Sequence, residues 1–236
     1  MVDGIIELFT TRLILTNLPP ILDSKWRHGQ HLQSFSYKYS IMRIDDSGRT
    51  KCWLTQDEIQ KLERKASEKD WERGIAVQLM GRLGLRVSEV PYPSDNNLRW
   101  SDDGECWFVT VRGKDTTGGK KTRDAWLPND VEDDIRKYSR ERGKSDNEAW
   151  VSASNPSIRR WVSEAGDALA DETENERWSY VSSHDLRRSW ATYHLVEREV
   201  DVRTMMAVGG WSSYEAIEPY LAKPTESRIG EAMESD

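Results

Sequence analysis

The 236-residue sequence has little cysteine, no long apolar run and no excess of positive charge. Its two cysteines, Cys52 and Cys106, are too few for a disulfide framework, and no group of Cys and His residues has the spacing of a zinc site. The most apolar stretch, residues 5–22, is interrupted by charged residues and a proline pair, which excludes a membrane span and a signal peptide. We therefore expect a soluble cytoplasmic protein that holds no metal.

The charge is acidic overall and unevenly distributed. The chain has 34 basic and 41 acidic residues, a formal net charge of −7, and this argues against a simple basic nucleic-acid binder. Residues 1–127 are nearly balanced, whereas residues 128–236 hold 14 basic and 23 acidic residues. Two interpretations stay open. One is a surface adapted to high salt, which the 22 arginines against 12 lysines favour weakly, and the other is that acidic residues 128–180 face away from any nucleic acid or toward a partner.

Most of the sequence from Leu54 onward has the apolar spacing of helices. Thr55 and Glu58 have the spacing of a capping box, and apolar residues follow at helical spacing. A second helix is predicted over residues 71–83 with Gly84 as its stop, and a short helix over residues 86–90. Further helices are predicted at roughly 130–142, 155–170, 183–197, 201–208 and 212–222, with a short segment near 225–233. Residues 23–51 look like a linker or a loosely packed arm.

One hairpin provides the β-signal. Residues 106–111 are aromatic and β-branched, residues 122–127 are a plausible partner strand, and a glycine-containing loop joins them. The predicted fold class is mainly α with a small antiparallel β-sheet.

Three short motifs could carry chemistry, although each also has a purely structural interpretation. His184 and Arg187 share one helix face near a predicted helix start, which suits a phosphate, or they are the surface of a capped helix. Arg86 lies at a tight junction and either serves a site or simply pairs with Glu89 one turn later. Tyr220, nine residues after Trp211, is a half-buried structural tyrosine or a nucleophile.

Taken in order, these motifs resemble the tyrosine recombinases, the lambda-integrase-type or phage integrase family. The matching blocks, spread over about residues 52–222, are Gly84-Leu85-Arg86-Val87-Ser88-Glu89, Val111-Arg112-Gly113-Lys114, His184-Asp185-Leu186-Arg187, Gly209-Gly210-Trp211-Ser212-Ser213 and Tyr220. The resemblance implies the catalytic-domain fold of that family. It also implies a site-specific DNA recombinase or integrase that cleaves and rejoins DNA through a 3′-phosphotyrosyl intermediate.

The resemblance implies a role for each matched residue. Tyr220 would be the nucleophile, and Arg86 and Arg187 would neutralise the charge that develops on the phosphate oxygens. His184 would accept the tyrosine proton, since an unperturbed histidine has a pKa of about 6.5.

The remaining roles fall on the hairpin and on the tryptophan. Lys114 would protonate the leaving 5′ oxygen, with Lys120 and Lys121 as competing candidates on the same loop. Trp211 would donate one hydrogen bond to a phosphate oxygen, and Glu89 would orient Arg86. This chemistry needs no metal, nucleotide or other cofactor.

The same resemblance sets expectations for organisation and partners. We expect residues 1–51 to be an arm too short for a full DNA-clamping domain, residues 52–222 to be the catalytic domain, and residues 223–236 to be a tail that can dock on a neighbouring protomer. The expected partner is double-stranded DNA at specific attachment sites, bound by a self-assembled tetramer, with a location on nucleoid or viral DNA. The alternatives are a catalytically silent DNA-binding relative and a DNA-relaxing enzyme like the type IB topoisomerases.

Overall fold

Helices make up most of the described chain, as the sequence predicts, and two small antiparallel sheets accompany them. The computed structural model describes residues 41–44, 48, 50–113 and 122–221. The helices are α1 Gln56–Ser67, α2 Trp71–Gly81, α3 Asn129–Glu141, α4 Asn155–Thr173, α5 Ser183–Thr192, α6 Val202–Gly209 and α7 Tyr214–Ile217. The strands are β1 Ile41–Ile44, β2 Thr50–Trp53, β3 Leu98–Ser101, β4 Cys106–Arg112 and β5 Thr122–Leu127.

Helix α1 begins where the sequence predicts. The Glu58 N–H donates to the Thr55 hydroxyl at 3.2 Å and the Thr55 N–H donates to the Glu58 carboxylate at 2.9 Å, which confirms the capping box. Ile59 and Leu62 on its apolar face are fully buried. Helix α2 ends two residues earlier than predicted, and Gly84 at φ +68° then turns the chain so that it cannot continue as a helix.

The short helix predicted over residues 86–90 is wrong. The chain there forms turns, in which the Glu89 N–H donates to the Arg86 carbonyl at 2.8 Å. Pro91 and Pro93 follow at once, and proline disfavours helical backbone in the residue before it. One closed turn is therefore all that this segment holds.

The larger sheet has the order β3-β4-β5, all antiparallel. The predicted β4 and β5 are confirmed, and the structure adds β3, which the sequence analysis missed. Val109 and Val111 of β4 and Ala125 and Leu127 of β5 are fully buried on the inner face. The loop between β4 and β5, residues 114–121, lies outside the described residues.

The predicted helices of the C-terminal half are present with shifted ends. The helix predicted over residues 183–197 is α5 followed by a π-helical turn, Tyr193–Glu197, and the one predicted over 212–222 is α7 followed by a 3-10 turn, Glu218–Tyr220. Further 3-10 turns are Asp95–Asn97 and Glu176–Tyr180. The segment predicted near 225–233 lies outside the described residues.

Strands β1 and β2 form a hairpin at the end of the segment that the sequence suggested as a linker. Strand β2 and the residue after it are tied to α5: the Cys52 N–H donates to the Asp185 carboxylate at 3.1 Å and the Leu54 N–H donates to the Ser189 hydroxyl at 2.8 Å. These bonds place α5 against the start of α1.

The buried apolar side chains form two clusters. The large one extends from β2 through α1, α2 and the inner face of the sheet to α4 and the start of α5. The small one joins the end of α5 to α6 and α7 through Trp190, Ala191, Met205, Trp211 and Ile217. Tyr220 packs on this second cluster, so its position depends on how α5, α6 and α7 meet.

Candidate active site

Arg86 lies in the turn after α2 and is held on three sides. Its main-chain N–H and its Nη1 donate to the two oxygens of Glu89, at 2.8 and 2.9 Å, and its Nη2 donates to the Gly210 carbonyl at 3.1 Å. The Arg86 side chain keeps 34% of its surface exposed, whereas that of Glu89 keeps 1%. The ion pair anticipated from the sequence is therefore present, and it orients an accessible guanidinium.

Arg187 lies on the inner face of α5, one turn after His184. Its Nη1 donates to the Gly84 carbonyl and its Nη2 donates to the Gly209 carbonyl, the latter at 2.7 Å. The residue is only 2% exposed, and its Cζ stands 4.2 Å from the centre of the Trp211 ring. Carbonyl oxygens and an aromatic face thus hold this cation, and no carboxylate among the described residues is in direct contact with it.

Burial and neighbouring cations shape the electrostatics of Arg187. Burial first, and then the nearby Arg86, lower the pKa of Arg187 to about 9, while Glu89 opposes the shift. The guanidinium therefore stays charged at neutral pH. A phenolate at Tyr220 would raise the pKa of Arg187, so the tyrosine lies within electrostatic reach of it.

An aromatic column connects α5 to the tyrosine. The rings of Trp190 and Trp211 stack at 6.1 Å and 13°, and the rings of Trp211 and Tyr220 meet at 5.4 Å and 55°. Two glycines make room for it: a Cβ on Gly84 would lie 2.2 Å from the Trp190 ring, and one on Gly209 would lie 1.9 Å from the Trp211 ring. These are the glycines whose carbonyls hold Arg187.

His184 stands in the first turn of α5 and is exposed. Asp185, next to it, accepts hydrogen bonds from the Ser182 N–H at 3.0 Å and the Ser182 hydroxyl at 2.6 Å and so fixes the start of the helix. Partial desolvation of the ring and the nearby cation of Arg188 lower the pKa of His184, while Asp185 opposes the shift. His184 is therefore neutral at neutral pH and able to accept a proton.

Five of the residues proposed from the sequence come together, and His184 lies within their electrostatic reach. Arg86 and Glu89 meet Arg187 around the carbonyls of residues 209 and 210, and Trp211 and Tyr220 complete the group. Arg187 and Arg86 both contribute to lowering the pKa of His184. In the part of the chain that the structure describes, no hydrogen bond joins His184 to Tyr220. The three candidate lysines, Lys114, Lys120 and Lys121, lie outside the described residues.

Arg123 is a residue of this group that the sequence analysis missed. It stands at the start of β5, and its Nη2 lies 2.9 Å from Glu89 Oε2. The signal was in the alternation of β5: Arg123 shares the inner face with Ala125 and Leu127, so a cation occupies a position where the pattern calls for an apolar side chain. Arg86 and Arg123 thus both contact the Glu89 carboxylate, and Arg187 lies within its electrostatic reach.

The described ranges contain neither a metal-binding cluster nor a membrane-spanning helix. No cluster of three or more His, Cys, Asp or Glu side chains among these residues could hold a metal ion. No helix among them is both long and apolar enough to cross a membrane.

Comparison with solved structures shows the same fold in several recombinases. XerA recombinase is 21% identical with a TM-score of 0.56, and the match covers 76% of this chain and 63% of that one. XerH site-specific recombinase, in a pre-cleavage complex with its difH substrate, is 18% identical with a TM-score of 0.58, and the match covers 78% of this chain and 55% of that one. The Tn1549 transposon integrase, in complex with a circular intermediate DNA, is 16% identical with a TM-score of 0.62, and the match covers 80% of this chain and 67% of that one.

At these identities the likeness shows the tyrosine recombinase catalytic-domain fold, and this chain spans less than two thirds of the length of the two Xer recombinases. A comparison with curated proteins finds no match. A family model, however, matches residues 52–226, about three quarters of the chain, and that range contains every residue of the arginine, tryptophan and tyrosine group. By sequence as well as by fold, the chain belongs to the phage integrase family.

Proposed function

We propose that this protein is a site-specific DNA recombinase or integrase that breaks and rejoins DNA strands through a tyrosine. One observation carries the proposal: Arg86 and Arg187 are fixed by adjacent carbonyls of one turn, and the same turn leads into Trp211, on which Tyr220 packs. Two cations are thus held beside a hydroxyl nucleophile, which is the arrangement that attack on a phosphodiester requires.

The first step forms a bond between the Tyr220 oxygen and phosphorus and breaks the bond from phosphorus to the 5′ oxygen. His184 takes the tyrosine proton, and Lys114, or else Lys120 or Lys121, gives a proton to the leaving 5′ oxygen, which becomes a free 5′ hydroxyl. The 3′-phosphotyrosyl link conserves the energy of the broken bond, so a 5′ hydroxyl can attack it and reseal the strand. Neither a metal nor a nucleotide takes part in this scheme.

The two arginines stabilise the charge of the transition state. Arg86 is the more accessible, and Arg187 adds a charge that no carboxylate in the described part of the chain contacts. Removing one donor of this kind raises a barrier by about 3 kcal/mol. Glu89 keeps the Arg86 guanidinium turned toward the Gly210 carbonyl, and the Trp211 N–H adds one hydrogen bond to a phosphate oxygen.

His184 and Tyr220 must approach each other for the proton transfer. Catalytic hydrogen bonds are often long or absent before the substrate binds, so the separation in the free protein fits the scheme. We propose that double-stranded DNA at specific sites brings them together.

The comparisons support the class of partner. XerH and the Tn1549 integrase were solved bound to DNA. We extend this to a DNA-associated protein that recombines two duplexes in a tetramer. Residues 52–222 would serve as the catalytic domain and residues 223–236 as a docking tail.

The decisive experiment traps the covalent intermediate. The protein is incubated with nicked double-stranded suicide substrates carrying a pool of randomised arm sequences, and a protein–DNA adduct is sought on a denaturing gel. Wild type is expected to form an adduct and Tyr220→Phe to form none, because only the phenol oxygen is removed.

Two other tyrosines serve as matched controls. Tyr214 is 53% exposed on α7, and Tyr193 begins the π-helical turn. Tyr214→Phe and Tyr193→Phe are expected to form the adduct like wild type. An adduct that survives Tyr220→Phe and disappears in either control would show that the nucleophile is misassigned.

A further inference from the structure

Three successive carbonyls at the end of α6 each accept a hydrogen bond from a different arginine. The Val208 carbonyl accepts from Arg123, the Gly209 carbonyl from Arg187 and the Gly210 carbonyl from Arg86. The last carbonyls of a helix have no partner within the helix and carry partial negative charge, so they attract cations. Two of these arginines belong to the proposed chemistry, and Arg123 has no role in it.

The second contact of Arg123 is with the carboxylate that orients Arg86. Glu89 gives one oxygen to Arg86 Nη1 and the other to Arg123 Nη2, each at 2.9 Å. The Glu89 side chain is 1% exposed and that of Arg123 is 10% exposed, so neither ion is solvated enough to swing freely. Arg123 therefore fixes the plane of Glu89, and through it the direction of Arg86.

The backbone is shaped to admit this side chain. Gly210 has φ +68°, and a Cβ at that position would lie 2.4 Å from Arg123 Cδ. The stem of Arg123 thus lies directly against the turn that continues into Trp211. Because Arg123 is the second residue of β5, it joins this strand to the turn that leads to Tyr220.

Stability alone is a poor reason for a third cation here. Burial lowers the pKa of Arg123 most, the charge and hydrogen bond of Glu89 raise it, and the charge of Arg86 lowers it again. The net direction is downward, so the folded protein holds this charge less readily than water does. Its Nε is buried and has no hydrogen-bond partner among the described residues. A buried ion pair of this kind is often replaced by apolar residues without loss of stability.

We propose that Arg123 is a positioning residue for strand cleavage. It ties Glu89 to the Val208–Gly210 turn, so that Arg86, Arg187 and, through Trp211, Tyr220 keep their relative places. This inference rests on the proposed function, and the hydrogen bonds of the turn provide a readout that does not depend on activity.

The first test compares three variants. Arg123→Met keeps the length of the side chain and removes both contacts, whereas Arg123→Lys keeps a charge that can make one contact at a time. Arg99→Met is the control, because Arg99 lies on the same sheet in an exposed ion pair with Asp124 at 2.9 Å. The rate of adduct formation is measured in a single turnover at saturating protein, and affinity for the uncleaved substrate is measured separately.

Misplacing reacting groups by about 1 Å costs on the order of a hundredfold in rate, so Arg123→Met is expected to slow cleavage by about that factor with unchanged substrate affinity. Arg123→Lys is expected to recover part of the loss and Arg99→Met to match wild type. If Arg123→Met cleaves as fast as Arg99→Met, the inference is wrong.

A double substitution asks whether Arg123 acts through Glu89. Glu89→Gln removes the charge that both arginines share, so Arg123→Met added to it is expected to cost less than it does alone. If the rate of the double variant falls by the full product of the two single losses, Arg123 does not act through Glu89.

The second readout is amide hydrogen exchange in the turn. The N–H groups of Gly210 and Trp211 both donate to the Met206 carbonyl, at 2.9 and 3.0 Å. They are expected to exchange faster in Arg123→Met than in Arg99→Met. Equal exchange in the two variants would overturn the anchoring role. If wild type forms no adduct, the proposed function fails, while the exchange rates still decide whether Arg123 holds the turn.

Discussion

Arg187 and Arg188 are neighbours on α5, both are buried, and they are held in opposite ways. Arg187 donates to the carbonyls of Gly84 and Gly209, and none of the carboxylates that the structure describes contacts it. Arg188 donates to the carboxylate of Asp185, which also accepts from the Cys52 N–H of β2. One face of α5 therefore presents a cation that is only partly compensated, and the other face closes a neutral pair against β2.

This difference distinguishes Arg187, a residue of the candidate site, from Arg188, a residue that stabilises the fold. A buried charge is costly, so a folded chain ordinarily pairs it with an opposite charge, as it does at Arg188. Carbonyl dipoles hold the Arg187 guanidinium in place and leave most of its charge uncancelled. A phosphodiester that enters the site can supply the missing negative charge.

The largest expected effect comes from removing the partly compensated cation. Arg187→Met is expected to slow adduct formation by about 10²–10³-fold, because it deletes a donor to the developing charge. Its free energy of unfolding, measured by urea denaturation, is expected to stay the same or rise, since an unpaired buried charge is lost. A large loss of stability would show that Arg187 is part of the scaffold after all.

The reverse result is expected for the adjacent residue. Arg188→Met leaves the Asp185 carboxylate buried without its cation and is expected to lower the free energy of unfolding by about 3 kcal/mol. The rate of adduct formation per folded molecule is expected to stay near that of wild type. Normal stability in urea denaturation would contradict the assignment of this pair to the scaffold.

A third change disturbs Arg187 without touching it. Gly84→Ala places a Cβ 2.2 Å from the Trp190 ring at a positive φ, so it is expected to lower the free energy of unfolding by about 2 kcal/mol and to slow adduct formation. Gly143→Ala is the matched control, because Gly143 has φ +62° with nothing near its Cβ position. Gly143→Ala is expected to lower the free energy of unfolding by about 1 kcal/mol and to leave adduct formation unchanged. If the two substitutions have equal effects, backbone strain alone explains the loss at Gly84, and the contact with Trp190 contributes nothing.

The last effect is absent at neutral pH and appears only on acidification, at the end of the aromatic column. Burial of His194 among Trp126, Trp190 and Tyr193, and the charge of Arg198, lower its pKa to about 4. His194 binds a proton more readily in the unfolded chain than in the folded one. The contribution of neutral His194 to stability is therefore complete above about pH 6.5 and is lost as the pH falls toward 4. His194→Phe is expected to remove that part of the decline in urea denaturation. Parallel pH curves for the two proteins would contradict it.

Much of the local structure could be predicted because it depends on near neighbours. The capping box at Thr55, the strands β4 and β5 and most helix positions follow from spacing and side-chain type. The prediction failed where backbone rules compete, as before Pro91, and where the signal is short, as in β1 and β3. The roles of Lys114 and its neighbours stay predictions.

The candidate site divides in the same way. The order of the motifs was enough to pick out Arg86, Arg187, Trp211 and Tyr220. Arg123 was missed because its contacts with Glu89 and with the Val208 carbonyl exist only in the folded chain.

The amino-acid sequence by itself determined the family, the helical character and the identity of most groups that would do the chemistry, since these depend on residue types in a fixed order. Only the tertiary structure decided which charges are compensated. Arg187 meets the Gly84 carbonyl across 103 residues, and Arg86 meets the Gly210 carbonyl across 124. Contacts over such separations exist only when α2, α5 and α6 close on one another, so no local pattern could reveal that three arginines share one turn.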